Sequence, residues 1–167
     1  MTVSTRTKLT RLTEERGDRF AADVAARLAS LVKDIARRRG GSPIRWLGDG
    51  GMFHFRDPAR AVDAGLDMVE QGPAIGLPPA HIGIHAGPVI FQDGDVYGRT
   101  VNLASRLSSV AQAGEVVVGE EVARRAEGFS FQDMGLVTLK GVAAPMRLFR
   151  AGREREGARE RRSLSGR

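Results

Sequence analysis

The chain has 167 residues, a net charge of +6 and no cysteine. Its length suits one domain of about 100–200 residues, and the missing cysteines exclude disulfides and thiolate metal sites. No apolar run approaches the ~20 residues of a membrane span and no secretory leader follows Met1, so no membrane span and a cytoplasmic location are expected.

From Asp18 to Arg39, Phe20, Val24, Leu28, Leu31 and Ile35 recur at three- and four-residue steps, which predicts a helix. Gly40-Gly41 ends it. Ile44–Leu47 and Met52–Phe55 read as short strands around Gly48-Asp49-Gly50, a hairpin signal. Pro58 opens a second helix carrying Val62, Leu66 and Val69, and Gly72–Pro79 reads as a loop. Strands are predicted at His81–His85 and Val89–Phe91, followed by a turn at Asp93-Gly94-Asp95 and a helix over Val101–Val110. Glu115–Val118 reads as a strand, Glu120–Ala126 as a short helix, and Leu136–Lys140 and Met146–Arg150 as the last strands. The pattern is α+β: a sheet with flanking helices.

Arg150–Arg167 holds seven arginines and three acids, with Leu164 its one large apolar residue after Phe149. A solvated, disordered tail is expected over 151–167. Without aromatic interleaving it gives no sign of specific nucleic-acid binding.

The richest segment is Asp95–Arg106, D-V-Y-G-R-T-V-N-L-A-S-R. On a helix, Asn102 and Arg106 lie one turn apart on one face, so an amide and a permanent cation could share an anionic ligand. The same spacing also serves an ordinary amphipathic helix with Val101, Leu103, Leu107 and Val110 as its core. Around it stand R-W-L-G-D-G-G-M-F-H-F at Arg45–Phe55, H-I-G-I-H-A-G-P-V at His81–Val89, A-G-E-V-V-V-G at Ala113–Gly119 and L-K-G-V-A-A-P-M-R-L-F-R at Leu139–Arg150. In that order these motifs resemble the catalytic domain of class III adenylate/guanylate cyclases, over roughly residues 11–150, leaving 1–10 as a divergent N-terminal segment. The resemblance implies a ferredoxin-like core with an antiparallel or mixed sheet. It also implies conversion of a nucleoside triphosphate to a 3′,5′-cyclic nucleotide and pyrophosphate between two domains.

By resemblance, Asn102 orients the ribose, Arg106 stabilises the phosphate transition state and Lys140 contacts the phosphates. Asp95 matches a base-reading acid, which favours ATP. Arg45 stands at the family's other base-selecting position, where adenylate cyclases carry lysine and guanylate cyclases usually carry glutamate, and is read as a substrate contact. Asp49 matches one of two aspartates that hold Mg²⁺ or Mn²⁺ in the family. The other belongs to a pattern like F-x-D-[IL]-x-G-[SF]-T; in gapless register with R-L-T-E-E-R-G-D, Arg11–Asp18, Thr5 takes its place. The first ten residues have lost the family's apolar strand and its glycine. Impaired activity is therefore expected, unless the natural start differs.

Three readings stay open: a homodimeric cyclase of low or unusual activity, an inactive pseudo-cyclase acting as a nucleotide-binding or dimerisation module, and the complementing half of a heterodimer. His81 and His85 are four apart on a strand and make no zinc site. Trp46 is expected in the core or at a dimer interface, on the sheet face opposite Arg45.

Overall fold

The computed structural model describes residues 2–6, 14–47 and 50–154. Seven strands form one sheet in the order β2-β3-β1-β4-β7-β9-β8. They are β1 (Thr2–Arg6), β2 (Ser42–Leu47), β3 (Gly50–His54), β4 (His81–His85), β7 (Val116–Gly119), β8 (Phe129–Val137) and β9 (Met146–Arg153). β4 and β7 run parallel, and the other neighbours are antiparallel. β5 (Ile90–Gln92) and β6 (Asp95–Tyr97) make a separate two-stranded arm. The helices packed on the larger sheet are α1 (Asp18–Arg38), α2 (Pro58–Ala74), α3 (Arg99–Val110) and α4 (Glu120–Arg125).

Strand alternation sorts the helices onto two faces. Ile82, Ile84, Val116 and Val118 join Val24, Leu28, Val32 and Ile35 of α1 and Val62 and Leu66 of α2 in the larger core. Val117, between Val116 and Val118, packs instead with Leu103 and Leu107 of α3 and with Leu139 and Leu148. Gly83, between Ile82 and Ile84, lets α3 approach the sheet backbone to backbone. A Cβ there would lie 2.2 Å from the Ser108 nitrogen and 2.4 Å from the Ala104 carbonyl oxygen.

Several boundaries differ from the sequence reading. The strand read as lost is present: β1 occupies the middle of the sheet, with Thr5 opposite Gly51 on β3 and Ile82 on β4. Pairing on both edges supplies what its unpatterned sequence does not. α2 continues through Gly72 and Pro73 to Ala74, since Gly72 is buried and only the last turn meets the proline. β8 begins at Phe129 and ends at Val137, so Lys140 lies in the following turn and not at a strand end. β9 runs to Arg153 with Ala151 buried, taking up the first three residues of the expected tail.

Five charges brace one end of the molecule. Arg39, past the end of α1, and Arg153, ending β9, both grip Asp63 and Asp67 of α2 at 2.6–2.8 Å. Arg153 also bonds Glu70 at 2.9 Å. The carboxylates, Glu70 foremost, hold the Arg153 guanidinium above its usual pKa.

Candidate active site

α3 buries Val101, Leu103, Ala104 and Leu107 against the sheet, which turns Asn102 and Arg106 outward. The turn after β8 is pinned by Leu139, which is 2% exposed and packs with Leu103 and Leu107. That burial carries the next residue, Lys140, alongside α3. An open cleft of about 690 Å³ results, lined by Asn102, Arg106 and Lys140 with Gly98, Arg99 and Gly141 among its other residues. Among the described residues its lining holds three cationic side chains and no carboxylate. Such a surface favours a polyanion.

Arg99 was missed by the sequence reading, although it stands three residues before Asn102 and seven before Arg106, on the same helical face. A second, mostly apolar cleft of about 500 Å³ adjoins the first, sharing Gly98, Arg99 and Leu103. His85 lies at its wall, at the end of β4. Its ring packs so closely on Gly119 that a Cβ there would meet Nδ1 at 2.6 Å. Burial, then the nearby Arg99 charge, lowers the His85 pKa. His81, at the opposite end of β4, has Nδ1 2.8 Å from the Ala111 carbonyl oxygen, so the two histidines share no ligand position.

Arg45 and Asp95 do not line the cationic cleft; they meet each other. Arg45 Nη2 lies 3.2 Å from Asp95 Oδ1 and donates to the Val96 carbonyl at 3.4 Å. Asp95 Oδ1 also accepts from the Val96 N–H at 2.8 Å. Trp46 packs against the larger core from the other side of β2, under Lys33 of α1 at 5.7 Å. Asp49 lies outside the described residues, and Thr5 is placed by its backbone pairing alone.

Comparison with known proteins identifies the class of domain. The chain belongs to the family of adenylate and guanylate cyclase catalytic domains, whose model matches residues 59–151. A pH-sensitive adenylate cyclase of Mycobacterium tuberculosis is 33% identical over 141 residues, covering 78% of this chain and 34% of that protein. An adenylate cyclase of Streptomyces coelicolor is 34% identical over 110 residues, 65% of this chain and 29% of that one. The chain thus spans about a third of the length of the curated relatives it matches. Among solved structures, the adenylyl cyclase CyaB from P. aeruginosa superposes with a TM-score of 0.79 at 24% identity, covering 93% of this chain and 94% of that one. A guanylate cyclase domain from Catenaria anguillulae, solved in complex with GTP, gives 0.80 at 23%, covering 92% and 96%. At these identities the likeness shows the fold. Among the described residues no helix is long and apolar enough to cross a membrane.

Proposed function

We propose that this domain binds a nucleoside triphosphate, ATP foremost, and cyclises it at a dimer interface, with activity limited by the composition of its metal half-site. The observation that carries this reading is the convergence of Asn102, Arg106 and Lys140 on one cationic cleft. The ribose 3′-oxygen attacks the α-phosphate and pyrophosphate leaves, so negative charge builds on the phosphate oxygens. Arg106, an obligate cation with several donors, is suited to that charge. Lys140 adds a mobile ammonium for the phosphates. Asn102, one turn before Arg106, has the donor and acceptor needed to hold a ribose hydroxyl in line. Asp95 supplies an acceptor for an exocyclic amine.

Mg²⁺ or Mn²⁺ would supply activation of the attacking hydroxyl and neutralisation of phosphate charge. Such ions require carboxylate oxygens. The expected donors on this chain are one carboxylate, Asp49, and a hydroxyl at Thr5, and that set does not fit two divalent ions. This shortfall favours a second reading, in which the chain complements a partner domain that carries both acids. An inactive nucleotide-binding module is the limiting case of the same deficit.

The test is incubation of purified protein with ATP, GTP, CTP or UTP and Mn²⁺, with an Asp49→Ala control. Cyclic product and pyrophosphate that vanish in the control establish a self-sufficient cyclase and name its base. Absence of product with every nucleotide rejects self-sufficiency. Product on mixing with a cyclase domain that carries both aspartates would then identify the complementing half.

A further inference from the structure

The position read as a base contact is already engaged within the fold. β2 carries an irregularity: its pairing passes from Pro43 opposite Phe53 directly to Arg45 opposite Met52, leaving Ile44 as an extra residue. Bulges of this kind redirect a side chain. Here Arg45 reaches across to β6. Nη2 donates to the Val96 carbonyl at 3.4 Å and forms an ion pair with Asp95 Oδ1 at 3.2 Å. Nε is buried. Through Nη2 alone Arg45 holds a side chain and a backbone carbonyl of the same strand.

That strand needs holding. Among the described residues β5 and β6 pair only with each other, and Ile90, Phe91 and Tyr97 are each about half exposed or more. Beyond the buried Val96, the described ties to the body are few. Phe91 meets His54 edge-on at 5.0 Å, and Thr100 Oγ1 donates to the Pro88 carbonyl at 2.7 Å. β6 leads through Gly98 into α3, where the Asn102 N–H donates to the Gly98 carbonyl at 3.3 Å. The later part of α3, Ala104–Ser108, is fixed by its contact with Gly83. Its first turn, which carries Asn102, is joined to the arm through Gly98 and to the body through the buried Thr100 and Val101.

We propose that Arg45 is a positioning residue that fastens the β5–β6 arm and thereby sets the first turn of α3, and that it does not read the base. The catalytic part of this proposal rests on the cyclase reading above; the anchoring part does not. Base discrimination then falls to Asp95, whose Oδ2 carries no hydrogen bond among the described residues.

The experiment compares Arg45→Gln and Arg45→Lys with the parent, by amide hydrogen exchange and by initial rates with ATP, GTP and CTP. Arg45→Gln is expected to speed exchange over residues 90–97 by about tenfold, with α1 and α2 unchanged. It should also lower kcat for every nucleotide by a similar factor of about ten, leaving the kcat/KM ratios between nucleotides in place. Arg45→Lys keeps the charge and should recover part of both effects, and it guards against a glutamine variant that fails to fold. Unchanged arm exchange in both variants overturns the proposal. So does a change beyond about tenfold in the ratio between nucleotides, which would make Arg45 a base reader. If the parent forms no product, self-sufficient cyclisation fails while the exchange result still decides the anchor.

Discussion

Gly83→Ala tests how α3 is seated. The new methyl would stand 2.2 Å from the Ser108 nitrogen, 2.4 Å from the Ala104 carbonyl oxygen and 2.8 Å from the Leu107 carbonyl carbon. All three are backbone atoms, so no side chain can swing away. Comfortable carbon contacts need about 3.5 Å, and α3 must lift by roughly 1 Å. Alanine also restricts the unfolded chain, a stabilising effect of about 0.4–1 kcal/mol. Overpacking of about 1–3 kcal/mol opposes and exceeds it. At this size each kcal/mol corresponds to about 2–4 °C, so Tm should fall by several degrees. In an active protein, a shift of about 1 Å at Asn102 and Arg106 should cost up to about 10²-fold in turnover. Thermal melts and urea titrations read the first effect, and initial rates the second. An alanine variant as stable as the parent would show that α3 does not rest on Gly83, and the argument for the cleft's rigid wall would go with it.

Asn102→Ala and Arg106→Ala should each reduce turnover by about two orders of magnitude or more if they act in the transition state; an unaffected rate removes either from the mechanism. Thr5→Asp should raise Mn²⁺-dependent turnover if the gapless register is right, and no change in an otherwise assembled site rejects that register. Asp67→Asn loosens the grip on Arg39 and Arg153 and should lower stability by about 1–3 kcal/mol, read from the urea midpoint; a loss below about 0.5 kcal/mol would reduce the brace to surface charge. His85 has its pKa lowered chiefly by burial, so the unfolded chain takes up a proton first as pH falls through about 6.5. Stability should therefore be greatest above that value, drop as pH falls, and level off below the folded-state pKa. His54, lowered chiefly by burial too, adds in the same direction. His85→Gln should narrow the difference in urea midpoint between about pH 7.5 and 5.5; an equal difference in variant and parent would assign the pH response elsewhere.

Elements whose periodicity matches their own burial were readable in advance. α1 ends one residue from its expected limit, and β4 coincides with His81–His85. β1 was not readable, because Thr2–Arg6 carries no apolar alternation; its strand form is imposed by β3 and β4 on either side. The start of β8 did leave a signal, since Phe129 and Phe131 alternate with Ser130 and Gln132, but the reading placed the strand later. In the site, helical spacing alone joined Asn102 to Arg106, while Lys140 reached them through the burial of Leu139. The Arg45–Asp95 pair links positions fifty residues apart, and the Arg153–Asp67 pair eighty-six. No local pattern encodes such contacts.

The central place of β1 also bears on how the domain is made. Thr2–Arg6 precedes both of its partners in the chain, which lie at 50–54 and 81–85. Until both are available, the sheet exists as two pieces, the β2–β3 hairpin and the β4-β7-β9-β8 group. β1 thus closes the sheet late, after two long loops have been drawn in, a topology that slows folding. Substitutions in β1 should therefore act on the refolding rate as well as on any chemistry at Thr5.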